Sequence, residues 1–525
     1  MFRAHSLDHR REMGFVPTLP IALGMAVVAG WLMDLGFPDR DWWPLTLIGT
    51  ALMIASVRGL GHGKALLVGA VGGFVFYGIM IWWLTVYLGP IPWIALTLAQ
   101  VFFFSMGLAL IALVWRYSSR QWPSLAGRLG LTPVLVGGAW MLREAIDSVF
   151  PFGGFAWGRI SQSQSESPLA ELVAWVGTSG MSFVLAWAAA LIVALVHEAR
   201  VRADARAAVG WSVLTALVIW PAWPVVTSGS ITVLAVQGNA DAGLFAQYER
   251  GDNLKDHYRV TRELYDQGHE IDVIVWPENA SDIDPLRHPE AATVVSEVSR
   301  ELEAPLVVGA ITRDGEDTYN SMLLWDSGQD DPLLDQYDKI HPVPFAEYLP
   351  ARDFFYPLAP PLFGMIPRDY SFGTRDAVFD LDGVIAGVAI CYDIVDDEIL
   401  WSIMRDGANI ILAPTNNADF GRTDQSVQQL AIARMRAIET GRSVVNISTV
   451  GTSAVIDPTG KELDRLVWYT EDYMLLEVPL AEHTTPATAL GRSLELGVIG
   501  LTLAGVAVAG AGHYGRYRRG VPSLD

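Results

Sequence analysis

Two stretches of this 525-residue chain, residues 65–84 and 93–115, contain no Asp, Glu, Lys or Arg. A helix rises 1.5 Å per residue and a bilayer's apolar layer is about 30 Å thick, so a crossing takes about 20 such residues. Apolar stretches that fit fall at roughly 17–35, 44–60, 65–88, 93–115, 131–149, 170–196, 208–226 and 489–512. Seven precede an acidic segment and the eighth follows it. The pattern predicts a membrane domain over 1–227 with seven transmembrane helices. A water-exposed domain over 228–486 comes next, then an eighth helix with a basic tail over 487–525.

Composition supports this division. The chain is 51% hydrophobic yet carries a formal charge of −21. Those values conflict within one globular domain and agree for a membrane part joined to an acidic part. The acidic excess argues against nucleic acid as a partner, since phosphate binding needs Lys and Arg. A single cysteine excludes an intramolecular disulfide and a Cys-based zinc site.

Basic residues set the expected orientation. Arg3, Arg10 and Arg11, then Arg58 and Lys64, then Arg116, Arg120 and Arg128, then Arg200, Arg202 and Arg206, and finally Arg516, Arg518 and Arg519 occupy alternate loops. The other loops hold only Arg40 and Arg159 outside the acidic domain. By the positive-inside rule both termini are cytoplasmic and residues 228–486 lie outside. The first apolar stretch lacks a small-residue cleavage site before Asp34, so it is expected to stay as an anchor.

Trp82, Trp83, Tyr87, Trp93, Trp115, Tyr117 and Trp122 lie near span ends, as an interfacial aromatic belt would. Arg143 and Glu144 lie near the end of the fifth span. They fit a buried polar site or snorkelling to the interface equally well. The following loop reads Phe150-Pro-Phe-Gly-Gly-Phe-Ala-Trp-Gly-Arg159. It is irregular and rich in aromatics, which suits either the outer membrane face or simple packing.

Between 228 and 486 the periodicity changes. Strands are predicted at 231–236, 271–276, 305–310, 320–325, 409–414, 443–448 and 453–457, and helices at 253–267, 289–303 and 424–440, with Gly441 as a stop signal. Such alternation builds a layered α/β domain. Glu278 follows Trp276-Pro277 directly after a strand, where the proline-fixed turn would hold a carboxylate for acid–base work. Lys339 opens a segment running to Glu347 and Pro350, in which Pro342, Pro344 and Pro350 exclude regular helix or central strand. Cys391 ends a short apolar run, and an acid-led segment and an apolar stretch follow. A thiol delivered to a helix N-terminus is expected to ionise more readily. Taken singly, each residue has an ordinary alternative: a loop glutamate, a solvated lysine, a small buried cysteine.

Together, Trp276-Pro277-Glu278, Lys339 with its proline-rich tail, and Cys391 after a strand resemble the Glu-Lys-Cys triad of the nitrilase (carbon–nitrogen hydrolase) superfamily. With the flanking spans and the Phe-Pro-Phe-Gly-Gly-Phe loop, residues 1–513 resemble the apolipoprotein N-acyltransferase family of bacterial membrane enzymes. The resemblance implies an αββα sandwich beside a multi-pass α-helical membrane domain. It implies Cys391 as nucleophile, Glu278 as general base, Lys339 as donor to the oxyanion, and Glu347, Tyr392 and Asp393 as supporting residues. The implied partners are a phospholipid acyl donor, a diacylglyceryl apolipoprotein acceptor and the plasma-membrane bilayer, with a monomeric enzyme and no metal or organic cofactor.

The chain departs from the family at Asp393, where glutamate is common, at Ala346, where glycine is common, and at Asp419-Phe420-Gly421, where an aromatic-Phe-Gly turn is common. Two other readings stay open at this level. One is a membrane-tethered amidase acting on a small carbon–nitrogen substrate, which the triad alone does not separate from an acyltransferase. The other is a degenerate scaffold module, against which the intact triad argues.

Overall fold

The computed structural model describes residues 16–198, 201–240, 249–365 and 369–518. Arg3, Arg10, Arg11, Arg200 and Arg519, which contribute to the orientation argument, lie outside these residues, as do the side chains of Arg516 and Arg518. The chain divides into two compact units. One comprises residues up to Thr85, Gly89–Ala222 and the chain from Leu490; the other comprises Val86–Leu88 and Trp223–Ala489.

The first unit is helical: α1 Leu19–Asp34, α2 Pro44–Val57, α3 His62–Met80, α4 Pro90–Gln121, α5 Thr132–Asp147, α6 Leu172–His197, α7 Ala203–Val218 and a C-terminal helix Arg492–Arg518. Each of the eight apolar stretches thus carries a helix. Four are long and apolar enough to cross a membrane: α3, α4, α6 and Arg492–Gly512. The other four have 14 or 16 residues, roughly 21–24 Å of rise. The third stretch is shorter than its apolarity suggests. Its helix stops at Met80, and a separate short helix, Leu84–Leu88, follows a turn. Close packing of α3 on α4 depends on small residues, as expected where no water drives helices together. A Cβ on Gly69 would lie 2.8 Å from the Ser105 Cα.

Arg143 and Glu144 do not snorkel; they are 5% and 2% exposed. The Arg143 guanidinium donates to the Tyr77 hydroxyl (2.9 Å), Asp147 Oδ2 (3.0 Å) and Glu144 Oε1 (3.1 Å). It also lies over the rings of Phe104 and Trp140. Glu144 Oε1 further accepts from Trp140 Nε1 and the Ile160 backbone N–H, and Phe155 N–H donates to the Asp147 carbonyl. The cluster therefore ties the loop after α5 to that helix. Within the loop Trp157 is buried against Trp83, whereas Phe150 and Phe152 are exposed.

The second unit stacks two six-stranded sheets. The first has strand order β12-β1-β2-β3-β4-β5, formed by β1 Thr227–Gln237, β2 Val273–Val275, β3 Leu306–Asp314, β4 Asp317–Trp325, β5 Leu333–Asp338 and β12 Asp472–Ala481. The second has order β11-β10-β9-β8-β7-β6, formed by β6 Val378–Leu381, β7 Val384–Val388, β8 Ile410–Thr415, β9 Ser443–Ser448, β10 Ala454–Ile456 and β11 Glu462–Arg465. Each sheet is parallel in its middle (β1, β2, β3; β7, β8, β9) and antiparallel outward. Central strands buried on both faces read as unbroken apolar runs. Leu234, Val236, Ile274, Leu306 and Val308 pack with Leu254, Val260, Val295 and Val298 of two outer helices, α8 Asp252–Arg262 and α9 Pro289–Glu301. Val233, Val273 and Val307, which point the other way, are equally buried. On the second sheet lie α10 Asp397–Arg405 and α11 Asp424–Thr440, the latter ended by Gly441 at φ +64°. Asp424 is the first residue of α11; Thr423 holds the cap position.

Candidate active site

The parallel strands bring the chemistry to one end of the sheets. β2 stops because Pro277 cannot continue its ladder, after Trp276 N–H makes a last bond to the Val307 carbonyl (2.8 Å). Glu278 then turns inward, 4% exposed. The turn fits because residue 309 on the adjacent β3 is glycine. A Cβ there would collide with the Pro277 carbonyl and sit 2.7 Å from the Glu278 Cα.

Lys339 is the first residue beyond β5. Its N–H donates to the Asn320 carbonyl (2.8 Å), and its carbonyl accepts from Gly373 N–H (2.9 Å). The side chain is not solvated but 1% exposed, with Nζ 2.9 Å from Glu347 Oε2 and 3.8 Å from Glu278 Oε1. Glu347 reaches back because the proline-rich segment folds on itself. Its N–H bonds the Val343 carbonyl (2.8 Å), and its Oε2 accepts from Val343 N–H (2.6 Å). Asn320 Nδ2 completes the group, donating to Glu278 Oε1 (2.6 Å) and Glu347 Oε1 (2.9 Å).

Cys391 follows β7 after Ala389 and Ile390 and sits at φ +51°. Left-handed backbone at a non-glycine residue is strained, and such strain gathers where a side chain must be held at a fixed angle. The Cys391 sulfur lies 3.9 Å from Gln429 Nε2. Its own carbonyl accepts from Gln429 Nε2 of α11 (3.0 Å), which also reaches Thr415 Oγ1 (3.0 Å).

The expected helix mouth is absent. Cys391–Val395 forms a 3₁₀ turn, and α10 begins only at Asp397, its first N–H groups taken by the Asp396 carboxylate. No helix end eases ionisation of the thiol. Burial, with the Glu278 charge beside it, pushes Cys391 up to about 12 against the pull of Lys339. Lys339 stays a cation: burial opposes its charge, but Glu347 and Glu278 outweigh burial and move it upward. Burial raises Glu278, with Lys339 opposing and Glu347 adding to the rise. One lysine against two carboxylates leaves the cluster at −1, so a standing thiolate would make it −2. That balance favours a thiol beside a carboxylate at rest.

Asp393 is 1% exposed. Its Oδ2 accepts from the Tyr337 hydroxyl (3.0 Å) and Ile390 N–H (3.1 Å), while Oδ1 is buried without a hydrogen-bond partner among the described residues. Burial raises it to about 7, against Lys339 and Tyr337. It therefore braces the nucleophile turn from below. Tyr392, the next residue after Cys391, is partly exposed. His341 Nδ1 pairs with Asp396 Oδ2 (2.6 Å), linking the lysine segment to the cap of α10. Sequence reasoning gave no role to Asn320, Tyr337, Gln429 or His341. Only strand alternation could have flagged Tyr337, two residues before Lys339 on the same face.

Residues 233–485 match the sequence model of the family described as carbon-nitrogen hydrolase. The two stacked sheets with outer helices and this family match make the second unit a carbon–nitrogen hydrolase domain. Residues 29–191 match the model of the apolipoprotein N-acyltransferase N-terminal domain. An apolipoprotein N-acyltransferase of Mycolicibacterium smegmatis is 31% identical over 93% of this chain and 84% of its own length. One from Pseudomonas syringae pv. tomato is 29% identical, over 93% and 96%. The chain belongs to the apolipoprotein N-acyltransferase family and is an acyltransferase with a multi-pass α-helical membrane domain. Among solved structures, yeast Nit3 of the nitrilase superfamily aligns at 18% identity and a TM-score of 0.37, over 51% of this chain and 94% of that one.

Proposed function

We propose that the enzyme moves a fatty acyl chain from a phospholipid, through a thioester on Cys391, to the α-amine of the S-diacylglyceryl cysteine of an apolipoprotein. The observation that carries this is the convergence of Glu278, Lys339, Glu347 and Cys391, drawn from different strands and loops, into one cluster in which Glu278 and Lys339 are buried and the single thiol is partly exposed. Cys391 attacks the ester carbonyl while Glu278 takes the thiol proton. Lys339, held charged by its two glutamates, faces the developing oxyanion. Collapse of the tetrahedral adduct breaks the C–O bond, and Glu278 returns the proton to the departing lysophospholipid alkoxide. In the second half, the amine attacks the thioester carbonyl and Glu278 accepts the amine's proton. C–S cleavage, with Glu278 returning that proton to sulfur, then restores the thiol and releases the N-acylated lipoprotein.

The domain reading supports this cycle: membrane domain 1–227, extracytoplasmic catalytic domain 228–486, final helix and basic tail 487–525. The alternation of basic loops supports cytoplasmic termini in a bacterial plasma membrane, with both substrates in the outer leaflet. We take the enzyme to act as a monomer without a cofactor. Purified enzyme given phospholipid should gain one acyl mass on Cys391, removable by hydroxylamine and lost in Cys391→Ala. If the wild type gains no acyl mass and a diacylated peptide also goes unacylated, the transfer reading is wrong.

A further inference from the structure

Asn320 has no counterpart in the triad, yet it touches every part of it except the thiol. Its backbone carbonyl receives Lys339 N–H (2.8 Å). Its side-chain amide gives one hydrogen to Glu278 Oε1 (2.6 Å) and the other to Glu347 Oε1 (2.9 Å). It is 2% exposed, and its Oδ1 is buried with no hydrogen-bond partner among the described residues. The amide orientation follows from this. A flipped amide would aim its oxygen lone pairs at two carboxylates, so the nitrogen must face them even though the oxygen is left unsatisfied. An unsatisfied buried acceptor is normally eliminated. Its persistence here marks a place where two donated hydrogens matter more than local satisfaction.

The chemistry explains why an amide suits this place. The groups facing Glu278 are Lys339, Glu347 and Cys391, and Asp393 in turn acts on Lys339. Two carboxylates sharing one lysine invite one of them to pick up a proton. A second cation would neutralise the cluster and weaken the base. A hydroxyl has only one hydrogen to give. A planar NH₂ supplies two hydrogens and no net charge. A protonated carboxyl oxygen would lose that bond, so each donated hydrogen favours the charged form.

We propose that Asn320 is a positioning residue that keeps Glu278 an unprotonated base, by dividing one neutral amide between two buried carboxylates. It holds them near the same lysine without letting them share a proton. This rests on Glu278 serving as the base for Cys391.

The only cysteine in the chain is Cys391, so alkylation of the full-length enzyme by iodoacetamide, followed by intact mass, reports one thiol independently of any acyl substrate. The rate should show an acidic limb set by protonation of the base. Asn320→Ala should move that limb upward by about one pH unit, slowing alkylation about tenfold on the acid side. Asn320→Asp, which adds a third carboxylate, should move it further. Asn320→Ser, which keeps one donor, should fall between wild type and Asn320→Ala, and it serves if the alanine variant does not fold. Limbs that coincide with wild type in folded variants overturn the proposal, as does a shift to lower pH in Asn320→Asp. If the wild type forms no acyl adduct while the limbs move in the stated order, acyl transfer fails and the role of Asn320 stands. If the wild type forms the adduct while the limbs stay put, acyl transfer stands and the role of Asn320 fails.

Discussion

The chain contains two buried groups with the same charge inventory. In the helical unit Arg143 lies between Glu144 and Asp147; in the sheet unit Lys339 lies between Glu278 and Glu347. Each is one cation against two carboxylates, and both cations are nearly inaccessible to water. The first is a structural knot. Its three charged residues sit within five positions on one helix, its cation is a guanidinium whose hydrogens go to Tyr77, Asp147 and Glu144, and aromatic rings of Phe104 and Trp140 close it off. The second is assembled from the ends of separate elements, its cation is a point charge with hydrogens to spare, and a thiol borders it. Reactivity therefore lies not in the charge balance but in what is left unsaturated: a lysine able to turn a donor toward a new oxygen, and a carboxylate beside a transferable proton.

Converting one cluster toward the other tests that distinction most severely. Lys339→Arg preserves charge but substitutes a rigid fork for a small ammonium at a side chain that is 1% exposed. We expect formation of the Cys391 acyl adduct to slow by about 10²–10³-fold, the scale of a lost oxyanion donor. Single-turnover mass measurements would show it; a rate within threefold of wild type would mean that charge alone suffices. The opposite change, Arg143→Met, strands two buried carboxylates and should destabilise the protein by about 3–5 kcal/mol. A lowered unfolding temperature in detergent should accompany adduct formation per folded molecule within about twofold of wild type. A selective loss of chemistry would overturn the structural assignment.

The smallest expected effect concerns His341. Its hydrogen bond to Asp396 raises its pKa above the ordinary histidine value, against partial burial. The stabilisation is therefore fully present below the unfolded value of about 6.5 and fades as pH rises through the raised one. Because the histidine is half exposed, His341→Gln should cost less than about 1 kcal/mol. The unfolding midpoints of variant and wild type should differ at pH 5.5 and converge at high pH. A gap that widens with pH would contradict the ion pair.

Much of this was legible from the residues themselves, for reasons that differ by element. The central strands could be read because burial on both faces makes them unbroken apolar runs, as in 305–310 and 410–413. The edge strands β6, β11 and β12 could not; Glu462–Arg465 is polar and mostly uncovered, so no pattern marks it. Trp276-Pro277-Glu278, Lys339 and Cys391 stood out because covalent neighbours fix their local geometry. Asn320 and Gln429 did not, since their roles come from strand register and from which face of α11 meets the nucleophile turn. The apolar run 399–404 marks the body of the helix after Cys391, but nothing in it shows that a 3₁₀ turn and the Asp396 cap separate the thiol from the helix start. The eight apolar stretches were visible, but not the break at Met80 that shortens the third.

That displaced helix has a consequence for how the enzyme endures. With its N–H groups satisfied by Asp396, α10 lends nothing to sulfur, and the idle thiol remains protonated up to about 12. Thiolates, not thiols, attack peroxides and disulfides. A nucleophile that gains its reactivity only when a substrate carbonyl arrives gives oxidants little to consume between turnovers. With no second cysteine in the chain to resolve a sulfenic acid as an internal disulfide, a thiol held protonated at rest would protect the one sulfur on which the proposed cycle depends.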